Sequence, residues 1–530
     1  SAIRSSRLAA ASGDMVTVLV RGLTGDVVWG PEVVPCSETV AGLKQRVRSS
    51  RPRDHRHVRL LQGSRELEDQ ESVAQDEAEG VLALSAVFLE SKRVVTWGRS
   101  NLGGDSSGVA KQLSGGVVAI FGNYFAFAAL KENGQVVTWG DPIHGGDCSA
   151  VSDQVAADVA EVQGNHGAFA ALKTAGAVVT WGKPRRGGDS SVVAHQLAGG
   201  VAALYSTYYA FAAVKEHGQV VTWGHPAHGS DSGLVSEQLR EGVVSVQCTF
   251  DAFAALKQGG AVVTWGNPDN GGDCSAVAGR LTQGIVALQS NHGAFAALTS
   301  SGGVVTWGWA NMGGDSGRVA EELAAGVASL HTTGHCALAA LKETGAVVAW
   351  GNEQLGGEPG PAVAAQLRGG VLALHANHGA FAAIKEDGAV VTWGDALGGG
   401  DSSAVAEQLA EGVESVSSNH GAFAALKTSG SVVTWGHPGR GGDSSAVREQ
   451  LEAGVVALHG WSHQRSHCCS NSHGAFAAVK EGGAVVAWGS PDVGGALGSV
   501  GSQLGCGVLR VHSNNFAFAA LCLDGVGETA

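Results

Sequence analysis

A tryptophan followed by glycine recurs through most of the chain, at Trp97, Trp139, Trp181, Trp223, Trp265, Trp307, Trp350, Trp393, Trp435 and Trp488. The first five intervals are 42 residues each; the next three are 43, 43 and 42, and the last is 53, because one copy carries an insertion near 460 to 470. A fixed period of this length is the mark of a repeat architecture. Each copy is one supersecondary unit too small to bury its own apolar face, so neighbouring copies must stack to make a core.

Within a copy the order is constant. A stretch such as GVVALHG (454–460) leads to NHGAFAALK (419–427 in its clearest form), then AVVTWG (177–182), a loop such as HPGRGGDSS (437–445), and AVAEQL (404–409). The first three stretches are short, β-branched or alternating, and separated by glycine turn signals, which predicts a three-stranded meander. AVAEQL is predicted as a short helix or an irregular outer strand, because its residues favour helix while its neighbours are strands. Alternation in the second strand places Ala168, Ala170 and Leu172 on one face, with Phe169 and Ala171 on the other. Small residues let adjacent sheets approach closely, and the repeated tryptophans and phenylalanines are assigned to the layer between them.

The loop after each tryptophan invites a catalytic reading, since Gly314-Asp315-Ser316-Gly317 reads like the nucleophile loop of a trypsin-like serine protease. The same pattern occurs eight times, twice with Cys148 or Cys274 in place of the serine, and the copy at 356–359 has no hydroxyl. A nucleophile needs its own base and oxyanion site, which are not built eightfold. The loops are therefore read as turns in which Asp105, Asp147, Asp189, Asp231, Asp273, Asp315, Asp401 and Asp443 accept hydrogen bonds from nearby backbone N–H groups. A ring of these carboxylates holding cations is the alternative.

The order of VVTWG, a glycine-rich loop, a Gly-Val strand, a histidine before AFAAL (His166, His292, His335, His378, His420, His473) and a trailing Lys-x-x-Gly resembles the repeat of the regulator of chromosome condensation family, over about residues 93–525. The resemblance implies a β-propeller. The copies here are shorter than that family's, and ten in number instead of seven. Propellers typically have four to eight blades, so an open superhelix or two smaller rings stand beside a single ring. The array begins with VVTWG (94–98), without an AFAAL strand before it, and finishes at Phe516 to Leu521, without VVTWG after it. Pairing of these two halves would complete one sheet and remove exposed edges, so closure is expected.

The first ninety residues are not repeat sequence. Met15 to Val20 alternates as a strand, Leu23-Thr24-Gly25 is a turn signal, Thr39 can cap a helix whose Val40, Leu43 and Val47 share one face, and 80–84 is a further strand. With RLL (59–61) and GSRELED (63–69), this order resembles a ubiquitin-like domain and implies a β-grasp. The resemblance places the family's apolar recognition patch on Leu23, Leu61 and Ser85; Leu61 serves equally as a packing residue. No diglycine tail follows, because Leu84 runs through AVFLESKR into the first VVTWG. The expected organisation is mainly β: a disordered leader (1–14), a ubiquitin-like domain (15–90), a propeller-like array of ten repeats (91–525) and a tail (526–530).

Charge narrows the function classes. Residues 1–92 hold 12 basic and 13 acidic residues, so nearly all of the net charge of −14 lies in the array. A nucleic-acid surface needs a basic face to displace counterions, so neither nucleic acid nor, lacking an apolar run of membrane length, a membrane is expected as partner. The nine cysteines form no C-x-x-C pair, which suits a reducing intracellular setting, cytoplasmic or nuclear. In the insertion, His463, His467, Cys468, Cys469 and His473 are zinc-type ligands, but adjacent cysteines are not the usual spacing, and a surface loop is expected instead. No cofactor and no catalytic constellation is visible. The expectation is a non-enzymatic scaffold or adaptor for protein partners, with the resemblance of the first domain implying a link to the ubiquitin system; the alternative is the recognition subunit of a ubiquitin ligase or a guanine-nucleotide exchange factor.

Overall fold

The computed structural model describes residues 15–22, 27–35, 40–49, 56–62, 65–66, 81–90, 92–460 and 474–523. Its contacts divide the chain into two compact bodies, 93–522 and the remainder.

In the N-terminal body β1 (Met15–Gly22) pairs antiparallel with β2 (Val27–Pro35) and parallel with β5 (Val81–Glu90). β5 pairs antiparallel with β3 (Arg56–Gln62), whose other partner is the two-residue β4 (Arg65–Glu66). The order β2-β1-β5-β3-β4, with helix α1 (Val40–Ser49) between β2 and β3, is that of a β-grasp. Val40, Leu43 and Val47 on one helical face and Val18, Val20, Val34 and Leu60 from the strands are fully buried.

Among the described residues the array holds ten three-stranded antiparallel sheets. Sheet 1 consists of β7 (Val117–Gly122), β8 (Ala126–Lys131) and β9 (Val136–Gly140), and sheets 2 to 9 repeat it along the chain. Sheet 10 is built from Val508–Ser513, Ala517–Leu523 and β6 (Lys92–Gly98), the first strand of the array. Arg99 N donates to Phe516 O at 2.9 Å beside this pairing. The AVAEQL segments are not strands. They are short helical turns, as at Ala110–Leu113 and Ser191–Val193, followed or ended by a buried leucine such as Leu113, Leu197 or Leu239, or in one copy by Val155, with at most 2% exposure.

The alternation in the second strand decides how sheets pack. Ala126, Ala128 and Leu130 of sheet 1 meet Phe169, Ala171 and Trp181 of sheet 2, and Ala168, Ala170 and Leu172 of sheet 2 meet Phe211, Ala213 and Trp223 of sheet 3. Small residues on one face receive the aromatic residues of the next, which is how a strand poor in bulk still builds a dense core. Each repeat tryptophan stacks within its own sheet on a phenylalanine or packs by a leucine, and its indole N–H reaches back one copy. Trp139 Nε1 donates to Gly103 O, Trp181 to Gly145 O and Trp265 to Gly229 O at 2.9–3.0 Å, and Trp97 closes the series on Gly494 O at 3.0 Å. All ten tryptophans are 2–4% exposed.

The double glycine of the loop follows from this crowding. Gly145 has φ 101°, and a Cβ there would lie 2.6 Å from the Phe169 ring; one on Gly146 would lie 2.5 Å from the Gly140 carbonyl carbon. The trailing lysine has a structural task as well: Lys131, Lys173 and Lys215 donate to the carbonyls of Gln112, Gln154 and Gln196, tying the second strand to the outer turn.

Candidate interaction site

The GGD loops form turns. Ser107 N, Ser275 N and Gly317 N each donate to the aspartate Oδ1 two residues earlier at 2.8 Å. These bonds stabilise the charged carboxylate and hold Asp105, Asp189, Asp273, Asp401 and Asp443 below the usual value. Ser316 Oγ bonds Thr306 Oγ1 at 2.9 Å, a hydroxyl that cannot serve as its base. Among the described residues no three His, Cys, Asp or Glu side chains are grouped to hold a metal.

Of the residues singled out in the sequence, Leu61 and Ser85 are cross-strand partners in β3 and β5, while Leu23 lies outside the described residues. So do His463, His467, Cys468, Cys469 and His473.

The turn between the first and second strands carries a feature the sequence reading did not assemble. In sheet 2, Asn165 Oδ1 accepts from Gly167 N and Ala168 N at 2.9 Å, while its Nδ2 donates to Arg186 O at 2.7 Å. In sheet 3, Thr207 does the same work, accepting from Ala210 N and donating to His228 O. So anchored, the turn presents its following residue the same way in sheets 1 to 5, 7 and 8, and in sheet 6, which has an extra Gly334 after the anchor Thr333, it presents His335. Tyr124, His166, Tyr208, Phe250, His292, His335, His378 and His420 form one row across eight sheets, each ring centroid 3.9–5.2 Å from the next. Backbone bonds run along the row too, from Tyr208 N to Phe250 O and from Phe250 N to His292 O.

The row is uneven. Where the repeat has NHGAF, sheets 10, 1, 3 and 4 read NNFAF, NYFAF, TYYAF and TFDAF, so Phe516, Phe125, Tyr209 and Asp251 replace a glycine. Three of the chain's four tyrosines lie here. Phe125 contacts Tyr124, His144 and His166 with ring centroids 4.3–5.0 Å apart, and Tyr209 contacts Tyr208 and His228 at 4.3 and 4.5 Å. The Arg186 guanidinium lies over Tyr209, 4.5 Å from its centroid, and its Nη1 is 2.6 Å from His166 Nδ1. Burial, reinforced by this arginine, pushes His166 down to about 2, so its ring is neutral. His228 pairs with Asp251, whose other oxygen accepts from Asn270 Nδ2 at 3.0 Å.

The result is a patch of half-buried aromatic rings with polar edges on a rigid frame. Such groups contribute large contact area with little entropy to lose, which suits protein recognition. The signal was present in the sequence as a local departure from an otherwise monotonous repeat.

A second group of histidines, on the first strands, contributes to the pH response beside His166 and His420. His331 and His512 are held at about 4 chiefly by burial, with His375 near the first, and His459 and Arg510 near the second. The folded pKa is depressed below 6.5, so the unfolded chain binds protons that the folded one refuses. Stability from these groups is complete above the unfolded value and is lost as the pH falls towards 4. Thermal unfolding of the array is expected to shift to lower temperature across that window, and His331→Gln with His512→Gln to flatten the profile; an unchanged slope in the double variant would contradict the assignment.

No family model matches the chain, and no curated protein matches it. Among solved structures it is similar to Prp20p from Saccharomyces cerevisiae, whose report concerns binding to Gsp1p and histones, with 14% identity, 50% of this chain and 82% of that one covered, and a TM-score of 0.31. It is also similar to a structure of Kap60 bound to yeast RCC1 (Prp20), with 11% identity, 82% and 89% covered, and a TM-score of 0.32. A third is human WBSCR16, with 15% identity, 82% and 99% covered, and a TM-score of 0.29. Likenesses this remote say nothing of function.

Proposed function

We propose that this chain is a non-enzymatic, intracellular protein-interaction platform in which a ubiquitin-like module is joined to an array of stacked β-sheets. One observation carries the reading: in sheets 10, 1, 3 and 4 the repeat departs from its own pattern, where Phe516, Phe125 and Tyr209 add aromatic rings beside the row and Asp251 adds a carboxylate. The ubiquitin-like part is supported by the strand order of the β-grasp and by the adjacency of Leu61 and Ser85 in its register. The acidic array favours protein partners over nucleic acid.

The test is affinity capture with the full chain and with a Phe125→Gly, Tyr209→Gly variant that restores the glycine of the other copies. The platform reading expects proteins recovered by the wild type and lost by a variant that remains folded by circular dichroism. Recovery of the same proteins by both would sink it, and ubiquitin transfer by the purified chain alone would overturn its non-enzymatic character.

A further inference from the structure

Trp309 follows the repeat tryptophan of sheet 5 by two residues and is 51% exposed. Its position opens a short 3-10 turn, Ala310–Met312, and its side chain caps nothing. In the flanking copies the same position is Asn267 or Asn352, whose Oδ1 accepts from the N–H two residues on at 3.0 Å. The missing cap is shared with Arg99, Lys183, His225, His437 and Ser490, but none of these leaves a large apolar ring in water, a departure that disfavours folding.

The ring lines a groove of about 780 Å³ between the loops that follow sheets 4 and 5, together with Asp269, Asp273 and Asp315, Val277 and Arg280. A second cavity of about 440 Å³ shares Asp315 and continues past Glu353. The basic residues nearby are already engaged. Arg280 Nη2 donates to Val304 O at 3.0 Å, and Arg318 Nη1 is bonded to Glu353 and Glu358 at 3.0 Å each. Arg280 keeps its positive charge, since its acceptor is a neutral carbonyl, but three aspartates outnumber it, so the groove offers excess carboxylates and an aromatic face on an array that carries nearly all of the chain's net negative charge.

We propose that this groove binds an extended peptide segment bearing arginine or lysine, with a cationic side chain stacked on Trp309 and its neighbours facing the aspartates. A cation over an indole face is the strongest of the aromatic cation contacts, and carboxylates beside it give the complementary charge. Trp309 N donates to Gly293 O at 2.8 Å, next to His292 of the aromatic row, so the groove extends the same end of the array. The inference deepens the platform reading by naming partner chemistry and rests on it. Separate variants keep the two failures apart.

The experiment titrates the full chain with a short fluorescein-labelled peptide of alternating arginine and glycine, and with its glutamine and glutamate counterparts, by fluorescence anisotropy. Trp309→Asn installs the residue of the neighbouring copies, so folding is secure, and it should raise the thermal midpoint by restoring the cap. The expected result is binding of the arginine peptide alone, weakened about tenfold by Trp309→Asn, less by Asp269→Asn, and reduced by added salt. Equal affinity of wild type and Trp309→Asn, equal binding of the glutamine peptide, or no binding of any of the three overturns the proposal. So does binding that survives Trp309→Asn but is lost with Phe125→Gly and Tyr209→Gly, which would move the peptide to the aromatic patch.

Discussion

Trp265→Ala is expected to destabilise the array by ~3–5 kcal/mol, the range for deleting a large buried aromatic side chain. The indole is 4% exposed, stacks on Phe253 at 5.1 Å and donates to Gly229 O at 2.9 Å. Its loss leaves a cavity between sheets 3 and 4, where Ala210, Ala212 and Val214 face Phe253 and Ala255. Stacked repeats hold together through nearest-neighbour interfaces, so hydrogen exchange should quicken first at amides 210–214 and 252–266. Trp265→Phe keeps much of the area while losing the indole donor and should cost less. An unchanged melting curve with unchanged exchange would remove the tryptophans from the inter-sheet layer.

Deleting residues after 514 is expected to lower the thermal midpoint of the whole array and to promote aggregation. The strand Ala517–Leu523 is the middle of sheet 10, between Val508–Ser513 and β6, so its removal bares two edges at once. Packing fails on both sides as well. Phe518 stacks on Trp97 at 5.2 Å, while Ala517, Ala519 and Leu521 pack against Phe127 and Trp139 of sheet 1. In a closed ring, opening this one interface would weaken every copy. In an open solenoid the same deletion would cost one terminal interface and leave central sheets nearly as stable. A truncated chain whose central sheets melt at the original temperature would rule closure out.

Much of this architecture was legible in the chain because it is local and repeated. The tryptophan spacing and the alternation of AFAAL placed aromatic residues on one face and alanines on the other, and that pattern is the inter-sheet core seen between Ala168, Ala170 and Phe211. The recurrence of the GGD loop favoured a repeated turn over a unique nucleophile, and Asp315 and Ser316 are held in the turn. The helical spacing of Val40, Leu43 and Val47 likewise produced one buried face. AVAEQL remained open between helix and strand because its propensities and its neighbours conflict; the burial of a single leucine or valine per copy, such as Leu197, is met by one short turn and needs no fourth strand.

The sequence alone determined the period, the three strands of each copy and which side chains lie between sheets, since these depend on residues near one another in the chain. Tertiary structure decided what meets across copies. The row from Tyr124 to His420 joins residues about one period apart, because their turns come close enough for ring contact only once the sheets are stacked. The meeting of β6 with Ala517–Leu523 spans more than four hundred residues and needs the whole stack to bring the ends together. Trp309 looks like one more repeat tryptophan by composition, yet it stands one step beyond the strand's glycine, where the sheet has ended and no neighbouring face covers the ring; position along the strand, not residue type, put it at the surface.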